Sequence, residues 1–254
     1  MQKIRNKSQK IKNSVVNKDS DRLEKNKDFV RVEGFNTLRS NVRICLKKDE
    51  RNKILVTSPC AGDGKSTCSC NLAVSFANAG KSVLILDCDI RKSVIHKTFN
   101  VSNKKGLSDV LSRLAEVDEC IQKTSYENLY VLPAGSTVPN PSELLSSKEM
   151  QLLIENLEEK YDYLILDSPP INVVSDSVPL FAWVDGVVLV TRYNKTTYND
   201  LNEALNTIKF SNANLFGVFF YDKPMQSRKK YGYSKYSKYN KYSNYSDNGY
   251  GYGK

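Results

Sequence analysis

The chain has 254 residues, 40% of them hydrophobic, and carries 38 Lys and Arg against 28 Asp and Glu, for a formal net charge of +10. This length allows one large α/β domain or two small ones, and the hydrophobic share excludes a chain that is disordered throughout. No apolar run approaches the roughly 18 residues of a transmembrane helix, and the first residues lack the apolar segment of a signal peptide, so we expect a cytoplasmic protein. The single histidine, His96, argues against a zinc site and against a Ser-His-Asp hydrolase.

The basic excess belongs to the two ends of the chain. Residues 1–28 carry a net charge of +5 and residues 221–254 carry +6, which leaves residues 29–220 at −1. We therefore predict a basic, flexible tail over 1–28, a folded domain over 29–220 and a second basic tail over 221–254. A near-neutral folded part argues against nucleic acid as a partner. The basic tails either keep the protein in solution or contact an anionic membrane surface or an acidic partner.

Strands and helices alternate along the folded part. Phe35, Leu38, Val42 and Leu46 fit one face of a helix, as do Leu201, Ala204, Leu205 and Ile208. The predicted strands are Ile54–Thr57, Val83–Asp87, Leu129–Leu132, Tyr163–Asp167, Val187–Thr191 and Leu215–Tyr221. Several are apolar at consecutive positions, which is typical of parallel strands covered by helices on both faces. This alternation predicts a doubly wound α/β domain with a mostly parallel sheet, whose ligands bind at the carboxyl ends of the strands.

The first strand is followed by a glycine-rich turn and the start of a helix, the order of elements in a phosphate-binding loop. The two glycines let backbone N–H groups point inward, Lys65 reaches the β- and γ-phosphates, and Ser66 offers its hydroxyl to Mg²⁺. Pro59 stands where the generic P-loop pattern has its first glycine, and the alternative is an ordinary strand-to-helix turn. The residues expected to surround the nucleotide phosphates are Gly62, Asp63, Gly64, Lys65, Ser66 and Thr67.

Three carboxylates lie at the ends of two other predicted strands. Asp87 and Asp89 are two residues apart after the run Val83–Leu86, and Asp167 ends the run Tyr163–Leu166. Each one alone could cap a helix or belong to a turn. Together, beside a phosphate-binding loop, they would repel one another without a cation, and the Mg²⁺ of a nucleotide supplies it.

The C-terminal tail is rich in tyrosine. Residues 229–254 contain no Leu, Ile, Val, Phe or Met, and such a segment cannot bury enough apolar surface to order itself, so we predict disorder. A random coil of about 24 residues reaches roughly 27 Å, far enough to visit a site on its own domain or on a neighbouring subunit. Eight of the chain's 15 tyrosines lie here: Tyr231, Tyr233, Tyr236, Tyr239, Tyr242, Tyr245, Tyr250 and Tyr252.

These motifs resemble those of the bacterial tyrosine kinases of capsular and exopolysaccharide systems, the BY-kinases. That family carries a Walker A loop, an Asp-x-Asp-x-Arg motif, an Asp-x-Pro-Pro Walker B motif and a tyrosine cluster. All four occur here in order, in residues 62–67, 87–91, 167–170 and 231–252, and the stretch Pro139–Leu145 is similar as well. The resemblance covers about residues 29–254 and implies a P-loop NTPase core of the MinD/ParA-like type.

The resemblance implies a role for each motif residue. ATP and Mg²⁺ would be the cofactors, with Lys65 holding the phosphates. Ser66, Asp89 and Asp167 would hold Mg²⁺, directly or through water. Asp87 would be the catalytic base for the acceptor tyrosine. A carboxylate with a pKa of about 4 cannot deprotonate a phenol of pKa about 10 in advance, so we expect Asp87 to orient the hydroxyl and accept its proton late.

The family also assembles into rings through an N-terminal helix. Glu33, Arg39 and Asn41 match its assembly motif, whereas Asn36 replaces an arginine, which predicts a ring with one charged contact fewer. A second departure is Ala61, where the family usually has proline. The tyrosine tail is expected to enter the active site of the adjacent subunit, and its phosphorylation to release the tail and loosen the ring.

The resemblance further implies partners and a cellular role. The implied partners are a separate membrane activator, which is the polysaccharide co-polymerase subunit, and a cognate tyrosine phosphatase. The kinase would lie at the inner face of the plasma membrane through the activator and regulate the synthesis and export of capsular or extracellular polysaccharide.

Three other classes of protein share some of these features. A MinD/ParA-type positioning ATPase shares the fold, but its signature lysine position is occupied by Cys60. A eukaryotic-type kinase needs a His-Arg-Asp loop, and His96 is followed by Lys97 and Thr98. A Lys/Tyr tail could bind single-stranded nucleic acid by stacking and charge, but the core lacks a recognition module.

Overall fold

A computed structural model describes residues 32–46 and 52–221. The predicted tail 1–28 and the predicted tail 221–254 apart from Tyr221, with all eight tail tyrosines, lie outside these residues. In the described part, no helix combines the length and the apolar character needed to cross a membrane.

The described residues form an α/β fold around a seven-stranded sheet. The strands are β1 (Asn52–Thr57), β2 (Val83–Asp87), β3 (Gln122–Lys123), β4 (Leu129–Leu132), β5 (Tyr163–Asp167), β6 (Gly186–Arg192) and β7 (Leu215–Tyr221). Their order across the sheet is β3-β4-β2-β5-β1-β6-β7, and every neighbouring pair is parallel except β3 with β4. This confirms the predicted doubly wound, mostly parallel architecture.

Helices cover both faces of the sheet. They are α1 (32–45), α2 (Lys65–Ala77), α3 (Ile95–Phe99), α4 (Leu107–Leu111), α5 (Val117–Cys120), α6 (Pro141–Leu145), α7 (Lys148–Glu158) and α8 (Tyr198–Phe210), with short 3₁₀ helices at Ser175–Ser177 and Pro179–Trp183. Successive side chains of a strand point to opposite faces. Accordingly, Leu55 packs in one core with α7 and α8, and Ile54 and Val56 pack in the other with α1 and α2.

The strand predictions agree closely with the structure. Four predicted strands have the same bounds as β2, β4, β5 and β7, while β1 and β6 extend one or two residues further. The two-residue strand β3 was not predicted, because its polar residues Gln122 and Lys123 form no pattern. The predicted helix faces are also observed, since Phe35 and Val42 of α1 and Ala204 and Ile208 of α8 are buried.

The strand order brings the three motifs together. Strand β5 lies between β1 and β2, so the carboxyl ends of all three strands meet at one edge of the sheet. Asp87 pairs with Asp167 in the register of β2 and β5, and Val56 pairs with Asp167 in that of β1 and β5. The loop between β1 and α2 therefore stands directly beside both carboxylates.

Candidate active site

The loop between β1 and α2 has the backbone of a phosphate-binding loop. Gly62 and Gly64 have φ angles of 78° and 97°, a left-handed conformation that glycine adopts without steric cost. Helix α2 begins at Lys65, so its first N–H groups and its dipole face the loop. The buried Asp63 closes the turn by accepting a hydrogen bond from the Cys60 backbone N–H, at 3.0 Å to Oδ2. The predicted phosphate-binding residues thus lie in one tight turn and the first turn of a helix.

Lys65 lies between the loop and the acidic strand ends. Its Nζ is 2.7 Å from Asp89 Oδ2 and 3.7 Å from Asp167 Oδ2, and it donates a hydrogen bond of 3.1 Å to Ser66 Oγ. Burial opposes the ammonium charge, but the carboxylates of Asp167 and Asp89 outweigh it and raise the pKa of Lys65. The lysine is therefore fully charged and held in the cleft.

Asp87 is completely buried, and its carboxylate accepts hydrogen bonds from two backbone N–H groups. Its Oδ1 accepts from the Asp89 N–H and its Oδ2 from the Ile95 N–H, both at 3.2 Å. Burial, followed by the charge of the neighbouring Asp167, raises the pKa of Asp87 to about 8. Asp87 therefore releases its proton at a higher pH than an exposed aspartate does.

Asp167 is also completely buried, with its two oxygens in different situations. Oδ1 accepts a hydrogen bond of 2.8 Å from the Ser69 hydroxyl, whereas the buried Oδ2 has no hydrogen-bond partner among the described residues. Burial raises the pKa of Asp167, although Lys65 opposes the shift. Oδ2 thus faces the Lys65 ammonium at 3.7 Å without accepting a hydrogen bond, which leaves this buried oxygen able to take a further cation.

These donors fit a magnesium ion that arrives with a nucleotide. Asp89, Asp167 and the Ser66 hydroxyl offer the hard oxygen ligands that Mg²⁺ prefers. Within the described residues, no group of three or more His, Cys, Asp or Glu is arranged to hold a metal on its own.

A cavity of about 370 Å³ opens in front of the loop. Its walls include Gly62, Gly64, Lys65, Ser66, Thr67 and Asp89 from the predicted set. They also include Lys92, Val94, Arg192 and Tyr221, which the sequence analysis did not select. Arg192 and Tyr221 end β6 and β7, so the rule that ligands bind at the carboxyl ends of strands could have found them.

The predicted assembly residues lie on α1, away from this cavity. Arg39 donates a hydrogen bond to the backbone oxygen of Ser75 at the end of α2, and Asn36 accepts one of 3.0 Å from the Ser75 hydroxyl. Asn36 also donates to Glu33, at 3.2 Å. Asn41 lines a groove between α1 and β7. In this chain Asn36 and Arg39 thus attach α1 to α2, and assembly through α1 stays a prediction.

The fold and the site together define a P-loop nucleotide-binding protein, and residues 51–215 match the family described as AAA domain. The chain is similar in fold to the septum site-determining protein MinD of Pyrococcus horikoshii, a structure in complex with Mg-ADP. That likeness has a TM-score of 0.58 at 24% identity over 66% of this chain and 69% of the other, and it concerns the fold alone.

Two other comparisons are more specific. The chain is 36% identical over 201 residues to the tyrosine-protein kinase YwqD of Bacillus subtilis, covering 79% of this chain and 85% of the relative. It also resembles the kinase domain of the Escherichia coli tyrosine kinase ETK, at 30% identity and a TM-score of 0.72 over 80% of each chain. The chain belongs to this family of bacterial tyrosine-protein kinases.

Proposed function

We propose that this protein transfers the γ-phosphoryl group of ATP to tyrosine hydroxyls, above all those of its own tail, and so regulates the synthesis and export of a capsular or extracellular polysaccharide. The observation that carries the proposal is the position of Lys65, charged and placed between Asp89 and Asp167 at the phosphate-binding loop. Family membership supports tyrosine as the acceptor.

The loop and Lys65 bind and orient the triphosphate. The N–H groups at the start of α2, and those turned inward by Gly62 and Gly64, provide donors for the phosphate oxygens. The Lys65 ammonium neutralises charge on the transferred group. Phosphoryl transfer is catalysed mainly by positioning and by electrostatic stabilisation, and these residues supply both.

Asp89, Asp167 and Ser66 would hold Mg²⁺, which would supply positive charge to offset the charge that develops on the phosphates. The buried Oδ2 of Asp167, which accepts no hydrogen bond among the described residues, supports this role. Ser69 holds the other oxygen of Asp167 and thereby fixes the orientation of the carboxylate.

Asp87 orients the acceptor hydroxyl and takes its proton late in the reaction. Burial raises the pKa of Asp87 above that of an exposed aspartate, towards the phenol value of about 10, and the Mg²⁺ held beside it would keep the carboxylate ionised and able to accept the proton. A smaller difference in pKa makes a group a better proton acceptor. In a loose transition state the nucleophile need not be ionised beforehand, so this remaining difference is tolerable.

The tail supplies the acceptors. Tyr221, the last described residue, lines the nucleotide cavity, so the tail predicted over 221–254 begins at the active-site edge. We propose that the folded domain of 29–220 acts on the tail of a neighbouring subunit in a ring. Each phosphate adds up to about two negative charges, so several phosphates reverse the tail's charge of +6 and release it.

The cellular setting follows from the family resemblance and from the charge of the tails. The partners proposed are a membrane activator of the polysaccharide co-polymerase type and a cognate tyrosine phosphatase. The activator would bring the kinase to the inner face of the plasma membrane, where the basic stretch 1–28 could contact anionic lipid.

Intact-mass spectrometry after incubation with Mg-ATP tests the proposal. We expect several increments of about 80 daltons, one for each phosphate, and peptide mapping should place them between Tyr231 and Tyr252. Hydrolysis of ATP without any mass increase, in the presence and absence of a candidate activator, would instead favour a MinD/ParA-type ATPase. Sedimentation of the phosphorylated and the unphosphorylated protein tests whether phosphorylation loosens the ring. Identical sizes of the two forms would refute this.

A further inference from the structure

We propose that Lys195, which comes from outside the three sequence motifs, is a positioning residue that holds the phosphate-binding loop in its binding shape. This inference rests on the proposed function, because it concerns the binding of the same nucleotide. Lys195 lies in the turn of residues 192–197, which runs from the last residue of β6 to the start of α8 and is called here the β6–α8 loop. It is 134 residues from Ala61 in sequence.

The β6–α8 loop is a tight turn with a defined shape. The Arg192 N–H donates to the Thr196 hydroxyl at 2.8 Å, and the Thr196 N–H donates back to the Arg192 carbonyl at 3.0 Å. Asn194 adopts the left-handed conformation, with a φ angle of 59°, that reverses the chain. This turn directs the side chains of both Arg192 and Lys195 at the P-loop.

Two backbone carbonyl oxygens of the P-loop accept hydrogen bonds from these two side chains. Lys195 Nζ donates a hydrogen bond to the carbonyl oxygen of Ala61, and Arg192 Nη1 donates one of 3.1 Å to that of Gly62. In a trans peptide the C=O and the N–H of one unit point in opposite directions, so a hydrogen bond that fixes the carbonyl also fixes the N–H. The two cations thereby hold two peptide units of the P-loop in one orientation.

Lys195 also neutralises a carboxylate inside the loop. Its Nζ lies 3.3 Å from Asp63 Oδ1, whose residue is completely buried. The other oxygen of Asp63 accepts the Cys60 N–H that closes the turn, whereas Oδ1 has no hydrogen-bond partner among the described residues. Removing the ammonium would leave a buried charge without compensation, and a loop so destabilised would rearrange.

The position of the Lys195 side chain also requires a glycine at position 62. A Cβ atom built on Gly62 would lie 2.8 Å from Lys195 Nζ, so the ammonium occupies the space that a side chain at this position would fill. Because Gly62 has no side chain, it leaves the space that the Lys195 ammonium occupies. Lys195 contacts Ala61 and Asp63 but does not line the cavity, so it acts on the nucleotide through the loop.

Affinity for Mg-ATP, measured by calorimetry on the full chain, tests this role. For Lys195→Met we expect the Kd to rise about tenfold or more, because the Asp63 charge loses its partner. Lys195→Arg, which keeps a cation and donors at the same place, should bind within about threefold of the wild type. The KM for ATP in self-phosphorylation should rise with the Kd, while kcat at saturating ATP changes less.

Lys160→Met is a matched control. Lys160 has a side chain 44% exposed and pairs with Asp118 at 3.3 Å, against 42% and 3.3 Å for Lys195, but Asp118 is 79% exposed and the pair is remote from the loop. This variant should bind Mg-ATP like the wild type. If Lys195→Met does not fold, Lys195→Gln replaces it, and its Kd should also exceed that of Lys195→Arg severalfold.

Normal Mg-ATP affinity in the methionine or glutamine variant would overturn the role of Lys195. A drop in melting temperature with unchanged Kd would do the same, because it would mean that the lysine supports only the fold. Failure of the wild-type protein to bind Mg-ATP would instead contradict the proposed function itself, so the two failures are distinguishable.

Discussion

Asp87 and Asp167 occupy paired positions on the neighbouring strands β2 and β5, and both carboxyl groups are completely buried. Two buried carboxyls this close cannot both be ionised at low cost without a cation. The sheet register itself therefore creates an acidic pair that retains a proton near neutral pH when no metal is bound. The stability of the metal-free protein should depend on pH for this reason.

The pH dependence has a definite sign. The pKa of Asp87 is about 8 in the folded protein and about 3.9 in the unfolded chain. Between these values the folded state binds more protons than the unfolded state, so the stabilising effect is fully present below about pH 4 and is lost as the pH rises towards 8. Asp87→Asn removes this titration. The slope of its unfolding free energy against pH should therefore differ from that of the wild type by up to about 1.4 kcal/mol per pH unit. Urea unfolding with EDTA over this range measures the difference, and parallel curves for the two proteins would contradict it.

Gly64 should tolerate no side chain. Its φ angle is 97°, and a Cβ atom there would lie 2.7 Å from Cδ1 of Tyr221, whose ring covers the loop. Alanine in this conformation costs about 1–3 kcal/mol, and the clash must also displace the loop or the ring. A displacement of about 1 Å in a binding site can cost a hundredfold, so for Gly64→Ala we expect Mg-ATP affinity to fall by about tenfold or more.

Gly80→Ala provides the control for that experiment. Gly80 has a φ angle of 78°, but a Cβ atom there would meet nothing within 4 Å. The variant should lose about 1–3 kcal/mol of stability from backbone strain alone and bind Mg-ATP normally. Equal affinities in Gly64→Ala and Gly80→Ala would mean that the contact with Tyr221 does not shape the site.

Substitutions of Asp87 and Asp89 should affect different steps, namely phosphoryl transfer to tyrosine and nucleotide binding. Because Asp87 is proposed to handle the acceptor proton, Asp87→Asn should leave Mg-ATP affinity within about threefold while transfer to tyrosine falls by about 10²–10⁴-fold. Asp89→Asn should weaken magnesium-dependent nucleotide binding, since this carboxylate is a proposed ligand. Calorimetry combined with initial rates of self-phosphorylation separates the two, and a large loss of affinity in Asp87→Asn would contradict the assignment.

The motifs and the main strands could be predicted from the sequence because their signals are local. Consecutive aliphatic residues before Asp87 and Asp167 define strands buried on both faces, and parallel topology then places their ends together. The phosphate-binding loop is likewise a short contiguous pattern. These features follow from residues that are close together in the sequence.

The contact of Lys195 with the P-loop could not be predicted in this way. Lys195 reaches the P-loop because β6 is added to the sheet beside β1, and the sequence around it contains no motif. Helices α3 to α6 have four or five residues each, too few for a periodic pattern to be recognised. Their positions depend on packing between distant segments.

Transfer of labelled γ-phosphate from ATP to the tail is the most direct measurement of the proposed kinase activity. The wild-type chain, with an activator tail if required, should incorporate label between Tyr231 and Tyr252. Lys65→Met should reduce incorporation by about a hundredfold or more, because it removes the charge that stabilises the transferred group. The control Lys81→Met, at an exposed lysine paired with Asp162, should label normally. Undiminished labelling of the tail in Lys65→Met would contradict the proposed mechanism.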